Sequence, residues 1–359
     1  MTMKLVKRVA KLARRSRCIR YVGCFLLGLA PAAMGLAREG EPSGPQLDGE
    51  QLYQQACAAC HGATGAGVAP DHPLYPTFET LPADFTDPLF NSREPAADWF
   101  LVVKYGGTRL GLSDQMPAYI EALSDEQVDI VVAYLKTLAD TRRYPPGELN
   151  FFRPLVTVKA FAEDELVLEN RYTSSPDAPG KTAWLVEFER RVGAQSHLEA
   201  KLEYVDDGER SELEEIEVAF KTALSFDLQR QFLLAFGAEV GIPLEDDDES
   251  VSVIPYLALA QGLSDSFSLQ AQLRTVLPIE DVDTGNVRLS GVVHWLPAIW
   301  PRSVSPGLEA VLTQPFSGEE DLAASLVPQL YAGLSKGGHV AFAAGIEVPL
   351  TERPRSSTS

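Results

Sequence analysis

The chain has 359 residues, of which 45% are hydrophobic, and this is enough material for more than one domain. Asp and Glu number 50 against 31 Lys and Arg, so the formal net charge is −19. A chain this acidic repels nucleic acid and anionic lipid at long range, and we expect neither as a partner.

The first 37 residues have the pattern of a secretory signal peptide. They hold eight Lys and Arg and no Asp or Glu, an apolar run over 21–30, and a small-x-small ending at 35–37. The apolar run is too short to span a bilayer as a stable helix. Cleavage removes the eight positive charges and takes the net charge from −19 to −27. Residues 38–47 are a Pro- and Gly-rich flexible lead-in.

Residues 57–61 read Cys-Ala-Ala-Cys-His, the most informative motif of the chain. On a helix the two thiols share one face, where each sulfur can add across a haem vinyl group, and the histidine that follows reaches the iron. Zinc half-sites and redox pairs use the same spacing. Cys18 and Cys24 fall in the removed segment, so no second pair remains for a Cys₄ zinc site. We predict Cys57 and Cys60 as covalent haem attachment points and His61 as the proximal iron ligand.

Met116 is the candidate for the second iron ligand. The other three methionines lie in the signal peptide, so this is the only thioether of the mature chain, and His/Met ligation is one of the known haem arrangements. A gap-filling core role is the alternative for Met116. The rival ligand is His72.

Residues 48–140 resemble a class I c-type cytochrome, with Cys-x-x-Cys-His near the start, a Met-Pro loop at 116–117 and a closing helix. The resemblance implies an all-α domain with one covalent haem c. It also implies that a proline carbonyl accepts the other ring N–H of the proximal histidine, and Pro70 is the matching residue. Iron held by His61 and Met116 is coordinatively filled, which suits single-electron transfer and disfavours a peroxidase.

Local signals place the helices of this domain. Pro95 is expected to start a helix that ends at Gly106-Gly107. On that helix Trp99 would pack on the haem edge or in the core, and Arg109, just beyond it, would pair with a haem propionate or stay solvated. Capping boxes start the first and last helices, at Asp48 with Gln51 and at Ser124 with Gln127.

Residues 141–150 are a Pro- and Gly-containing linker, and beyond them the sequence period changes from about 3.6 to 2. Residues 215–226 and 232–242 alternate apolar and polar side chains on either side of a tight turn at 227–230, which predicts a long antiparallel hairpin. We predict an antiparallel up-and-down β-barrel of about 10–12 strands over 151–351, then a polar tail at 352–359. The other predicted strands are 152–161, 165–173, 183–191, 197–205, 251–261, 265–277, 286–295, 306–314, 326–334 and 339–350.

This half resembles outer-membrane barrels of the meta-pathway phenol-degradation and putative transporter type, most clearly over 210–290. Two features disagree with that resemblance. The chain does not finish on a strand with a terminal aromatic residue, and by the predicted strand count both barrel ends emerge beside the long connections. The alternative is a secreted two-sheet β-sandwich whose apolar face points inward.

Other features have ordinary explanations. The run Asp246–Glu249 is expected to be a solvated loop rather than a cation site. His197, His294 and His339 have no partners at metal-ligand spacing in the sequence. An interfacial aromatic belt or a core would hold Trp184, Trp295 and Trp300.

Taken together, the sequence predicts an exported electron carrier rather than an enzyme with its own substrate. Its architecture is similar to the fused cytochrome–porins of iron-oxidising bacteria, with the barrel as outer-membrane anchor or conduit. Its partners would be redox proteins or an extracellular electron donor or acceptor. The haem domain would be periplasmic, inside the barrel or at the surface, and the whole chain could instead be periplasmic. A different hypothesis is an outer-membrane channel for a small apolar molecule, with the haem domain as plug or sensor.

Overall fold

The computed structural model describes residues 48–351 apart from 176–177, 245–249, 298–303, 318–320 and 337–338. The predicted signal peptide, lead-in and polar tail, together with Trp300 and the acidic run Asp246–Glu249, therefore lie outside the described residues. The helices come first in the chain and all the strands follow. The α-helices are α1 (Gly49–Ala56), α2 (Ala58–His61), α3 (Pro88–Arg93), α4 (Ala96–Leu110) and α5 (Asp125–Lys136).

Both predicted capping boxes are present. The Asp48 carboxylate accepts the Gln51 backbone N–H at 2.8 Å, and the Ser124 hydroxyl accepts the Gln127 N–H at 3.2 Å. Each bond satisfies an N–H that the first turn of a helix leaves without an intrahelical partner. Helix α4 starts after Pro95 as expected but continues past the predicted end, because Gly106 takes a left-handed φ of 74° and kinks the helix without stopping it.

The helices enclose one apolar core, in which α5 packs against α1 and α4. The core joins residues far apart in the chain and leaves the thiol-bearing end of α1 at its margin, where Cys57 and Met116 both pack against it. Its buried members are Leu52, Tyr53, Phe85, Trp99, Val103, Val128, Val131, Val132 and Leu135.

The rest of the described chain forms a single large antiparallel up-and-down sheet that curls into a half-barrel. Consecutive strands pair from β1 to β11, and β12 pairs with β10. The strands are β1 (Glu165–Ser175), β2 (Ala178–Arg191), β3 (Ser196–Asp206), β4 (Ser211–Asp227), β5 (Phe232–Pro243), β6 (Ser252–Ser264), β7 (Phe267–Pro278), β8 (Asn286–Trp295), β9 (Val304–Pro315), β10 (Ala323–Gly333), β11 (Ala341–Gly345) and β12 (Val348–Pro349). The predicted antiparallel up-and-down order is confirmed, but the described strands form a half-barrel with β1 and β11 at its ends, not a closed barrel and not a two-sheet sandwich.

Alternation along the strands separates two chemically different faces. On the outer face large apolar side chains are exposed, such as Trp184, Phe188 and Leu257, whereas the concave face buries charged and polar side chains beside apolar ones such as Leu233 and Ala258. A soluble sheet differs, because it buries its apolar face and leaves the polar one to solvent. The buried polar residues of the concave face include Glu187, Glu189, His197, Glu199, Lys221, Glu239, Gln270, Gln272, His294 and Glu309.

Residues 151–164, which we call the inner segment, run along this concave face. The prediction of a strand at 152–161 is wrong, because the backbone here bonds to side chains of the sheet and not to a neighbouring strand. The N–H groups of Val156 and Thr157 donate to the Glu309 carboxylate at 3.1 and 2.6 Å. The Gln270 amide donates to the Phe152 carbonyl at 2.6 Å.

Losing that strand also changes the topology of the sheet. The chain enters β1 at the end of the sheet that carries the short turns at 228–231 and 265–266, and it leaves β12 at the opposite end. The prediction that both ends emerge beside the long connections is therefore wrong. None of the helices in the described part of the chain is long and apolar enough to cross a membrane.

The predicted linker is a packed joint between the helices and the sheet. Residues Gly147–Leu149 form a short 3₁₀-helix. The Glu148 carboxylate accepts the N–H of Ala96, the first residue of α4, at 2.8 Å. The Leu149 side chain is buried with Leu233 and Ala260 of the sheet. These contacts hold the helical region and the sheet on either side of one short turn.

Candidate haem-binding site

Helices α1 and α2 present the two cysteines. Both are free thiols and both are half-buried, Cys57 at the junction of the two helices and Cys60 within α2. Burial, followed by the neighbouring Cys60, raises the pKa of Cys57 to about 11. Its sulfur is therefore uncharged at neutral pH.

His61 has one ring nitrogen engaged and one available. Its Nδ1 lies 3.3 Å from the carbonyl oxygen of Ala83. A carbonyl can only accept, so Nδ1 carries the proton and Nε2 keeps the lone pair that a metal needs. Burial lowers the pKa of His61, opposed by the Ala83 carbonyl. The side chain is thus a neutral imidazole whose orientation is fixed from behind.

The loop that carries Met116 is tied back to the cysteine helices. The Tyr119 hydroxyl donates to the carbonyl of Ala56, the last residue of α1, at 2.5 Å. The Tyr119 N–H donates to the Val103 carbonyl at 3.1 Å, and the Gly107 N–H donates to the Met116 carbonyl at 3.0 Å. Three hydrogen bonds therefore hold this loop between α4 and the end of α1.

Two tyrosines make the surroundings of the thiols neutral. The Tyr53 hydroxyl donates to the Gly62 carbonyl at 2.5 Å, which ties α1 to the loop after the histidine. Burial and then Cys57 raise the pKa of Tyr53 to about 12. Burial, followed by Cys57 and Cys60, also raises the pKa of Tyr119. Both phenols stay protonated at neutral pH and act as hydrogen-bond donors.

Ala83 takes the place predicted for Pro70, and Trp99 lies in the helical core. Pro70 is the predicted acceptor for His61, but the structure puts the Ala83 carbonyl there. Phe85, two residues beyond Ala83, stacks on the imidazole with ring centroids 4.7 Å apart. Trp99 is buried beside Phe85, with centroids 5.3 Å apart, so it belongs to the core.

The remaining predicted residues lie at the surface. Arg109 is exposed, and its guanidinium lies 4.7 Å from the Tyr105 ring centroid. A propionate contact for Arg109 stays a prediction. His72 is exposed, and its Nδ1 accepts the Leu74 N–H at 3.2 Å. Met116, in contrast, packs against the same core as Cys57, so it fits the role of distal ligand better than His72 does.

A family comparison agrees with this geometry. Residues 46–139 match the cytochrome c family model. The chain carries a cytochrome c domain. The match covers about a quarter of the chain and contains the two thiols, the histidine and the methionine. No curated protein and no solved structure matches the chain, so the resemblance of the sheet to outer-membrane transporters has no relative to support it.

Membership of this domain family implies a covalently bound haem c, and the residues present fit it. Two free thiols stand beside a neutral imidazole whose Nε2 is the available donor. Large apolar side chains are exposed on the loops at 62–87 and 111–123, where an apolar ring could cover them; these are Leu74, Leu81, Leu112 and Ile120. A domain of this kind supports haem-based electron transfer.

The concave face of the sheet holds a second group of candidate ligands. The carboxylates of Glu187, Glu189 and Glu199 offer oxygens within 4.8 Å of one another. They already have cationic partners, since Arg153 lies 2.5 and 3.0 Å from the first two and Lys201 lies 2.6 Å from the third. This is an ion-pair network, the usual way to hold buried charges.

His197 does not turn that network into a metal site. Its Nδ1 accepts the Glu163 N–H of the inner segment at 3.1 Å. The ring proton of the neutral form is then on Nε2, 3.7 Å from Glu199, so neither nitrogen offers a free lone pair. These contacts have no local sequence signature, because the partners come from different strands and from the inner segment.

Proposed function

We propose that the protein is a single-haem electron carrier, held in the outer membrane by the curled sheet. The observation that carries the proposal is the bond from Tyr119 to Ala56, which joins the loop of Met116, the only methionine of the described residues, to the helix that ends at the haem-attachment motif. It supports His61 and Met116 as the two iron ligands. An iron so ligated exchanges one electron at a time and has no open position for oxygen or substrate.

The chain's own residues would have distinct parts in this function. Cys57 and Cys60 would attach the haem c, and the Ala83 carbonyl would fix the tautomer and orientation of His61. Tyr119 would hold the methionine loop in place. The apolar core beside these residues would exclude water, which limits the reorganisation that accompanies a change in iron charge.

The outer membrane is the location that best fits the two faces of the sheet. Its outward apolar residues can contact lipid, and its polar residues face inward, which is the pattern of transmembrane barrels. A signal peptide, if cleaved as predicted, would deliver the chain to that side of the cell. Electron donors and acceptors would then be redox proteins or extracellular compounds that reach the haem domain.

The inner segment favours an anchor over a channel. Its backbone and side chains bond to the sheet from β1 to β9, and Arg153 alone pairs with Glu165, Glu187 and Glu189. A passage for a small molecule would need an open interior, whereas this one is crossed by the inner segment, which packs on the apolar part of the concave face and pairs with the charged part. The haem domain is not needed as a plug in this arrangement.

A Met116→Ala variant beside wild type tests the electron-carrier proposal. We expect wild type to have the weak long-wavelength absorption of methionine-ligated iron in the oxidised state. The variant should lose that absorption and keep its covalently bound haem. A His72→Ala variant is the matched control and should keep it. Loss in the His72 variant, with none in the Met116 variant, would contradict the proposed ligand set.

Protease access tests the location. On intact cells, a haem domain that is cut only after the outer membrane is permeabilised is periplasmic, and one cut without permeabilisation is at the surface. Recovery of the full-length protein in the soluble periplasmic fraction, without detergent, would contradict the membrane anchor.

A further inference from the structure

The residue before the proposed distal ligand makes a second, unassigned connection. The Gln115 side chain reaches across to the short segment at 77–79 and uses both ends of its amide. Its Nε2 donates to the Thr77 carbonyl at 2.8 Å, and its Oε1 accepts the Glu79 N–H at 3.1 Å. A side chain that pairs with a backbone donor and a backbone acceptor together fixes direction as well as distance.

The segment that Gln115 holds also leads to the other side of the site. Six residues beyond Thr77, the carbonyl of Ala83 accepts the ring N–H of His61. Pro82 lies between these two points and restricts the backbone. The 3₁₀-turn Tyr75–Thr77 restricts it at the start of the stretch. One short stretch, 77–83, therefore contains both the carbonyl that holds His61 and the backbone groups that hold Gln115, the residue before Met116.

We propose that Gln115 is a positioning residue for the iron–methionine bond, and that stretch 77–83 acts as a bracket that sets the separation of His61 and Met116. The inference rests on the proposed function, because it needs iron between these two side chains. Tyr119 holds the loop from the cysteine side. Gln115 holds it from the opposite side, so that the thioether cannot swing away when an external ligand competes for the iron.

The chain offers a matched control for this proposal. Gln54 makes a single side-chain contact of this kind on the proximal side of the site, where its Nε2 donates to the Ala63 carbonyl at 2.8 Å. Both glutamines are exposed. Only Gln115 adjoins the distal ligand. A Gln54 variant therefore shows the effect of losing a surface amide hydrogen bond, and a Gln115 variant shows the added effect of losing the bracket.

The test is titration of the oxidised full-length protein with imidazole, which competes with methionine for iron and is followed by loss of the long-wavelength absorption. Two hydrogen bonds at an exposed position correspond to a change of about fivefold to tenfold in such an equilibrium. We expect Gln115→Leu to bind imidazole about fivefold to tenfold more tightly than wild type. Gln115→Glu keeps the acceptor and loses the donor, so its affinity should lie between the two. Gln54→Leu should match wild type.

Each possible result is decisive. If Gln115→Leu and Gln54→Leu bind imidazole equally, the positioning role is wrong, even if both variants unfold more easily. If wild type lacks the methionine absorption, the proposed ligand set fails first, which is a different outcome from failure of the bracket. Should Gln115→Leu not accumulate with haem, the Gln115→Glu affinity decides the matter by itself.

Discussion

Adding one methyl group at Gly107 should detach the methionine loop. A Cβ built on Gly107 lies 2.0 Å from the Ser113 carbonyl oxygen and 3.2 Å from Cβ of Met116. Because real Cβ atoms do not approach a backbone oxygen closer than 3.0 Å, residues 113–116 must shift by about 1 Å. That shift also strains the bonds from the Gly107 N–H to Met116 and from the Leu112 N–H to Gly107, which are 3.0 and 2.9 Å long.

The sign of the effect makes Gly107→Ala informative. In an ordinary helix the change from glycine to alanine raises the free energy of unfolding by about 0.5–1 kcal/mol. Here the clash costs about 1–3 kcal/mol and the strained hydrogen bonds add about 1 kcal/mol, so we expect a net loss of about 1–3 kcal/mol.

Chemical denaturation followed by haem absorbance measures that loss, and the oxidised spectrum reports the methionine bond. The variant should keep its haem and lose most of the long-wavelength absorption. Gly193→Ala is the control, because its added Cβ meets nothing within 4 Å. If Gly107→Ala were as stable as wild type or more stable, with an unchanged spectrum, the described contact between α4 and the methionine loop would be refuted.

Three further predictions concern the core, the inner segment and the outer face. Asn91 is buried and donates to two backbone carbonyls at 2.7 and 2.9 Å, so Asn91→Ala should lower the free energy of unfolding by about 2–4 kcal/mol in chemical denaturation; a loss below about 0.5 kcal/mol would contradict this. Glu309→Leu removes the acceptor of two N–H groups, so hydrogen exchange of peptide 151–164 should quicken about tenfold or more, with Glu309→Gln in between. Unchanged exchange would mean that Glu309 does not hold the inner segment. Leu257→Arg places a charge on the outer face and should make folding into the membrane less favourable by about 2–4 kcal/mol. The loss is measured as folded protein missing from the membrane fraction. Leu228→Arg, in a turn, should assemble normally. Equal assembly of the two variants would argue against lipid contact.

The parts of the fold that depend on neighbouring residues could be predicted from the sequence. The capping boxes at Asp48 and Ser124 are formed as expected, because a cap needs only residues three apart. The hairpin of β4 and β5 follows from alternation and one turn. The antiparallel sheet follows from alternation as well, whereas the helical cytochrome c domain follows from the resemblance of its motifs to class I c-type cytochromes.

The failures concern contacts between distant parts of the chain. Residues 152–161 alternate like a strand, but their N–H groups bond to carboxylates and amides of the concave face, and no local pattern distinguishes these acceptors from a neighbouring strand. The acceptor for His61 is Ala83 instead of Pro70, because backbone carbonyls have no sequence signature. The bond from Tyr119 to Ala56 spans 63 residues and was likewise not predictable.

Haem attachment at the two cysteines is the central claim, and a mass measurement tests it most directly. Full-length protein would be purified from a host that matures c-type cytochromes, denatured, and weighed beside a Cys57→Ser/Cys60→Ser double variant. The account predicts that one haem stays with the denatured wild-type polypeptide, that no thiol is free to react, and that the double variant retains no haem. A colourless wild-type protein with two reactive thiols would contradict it.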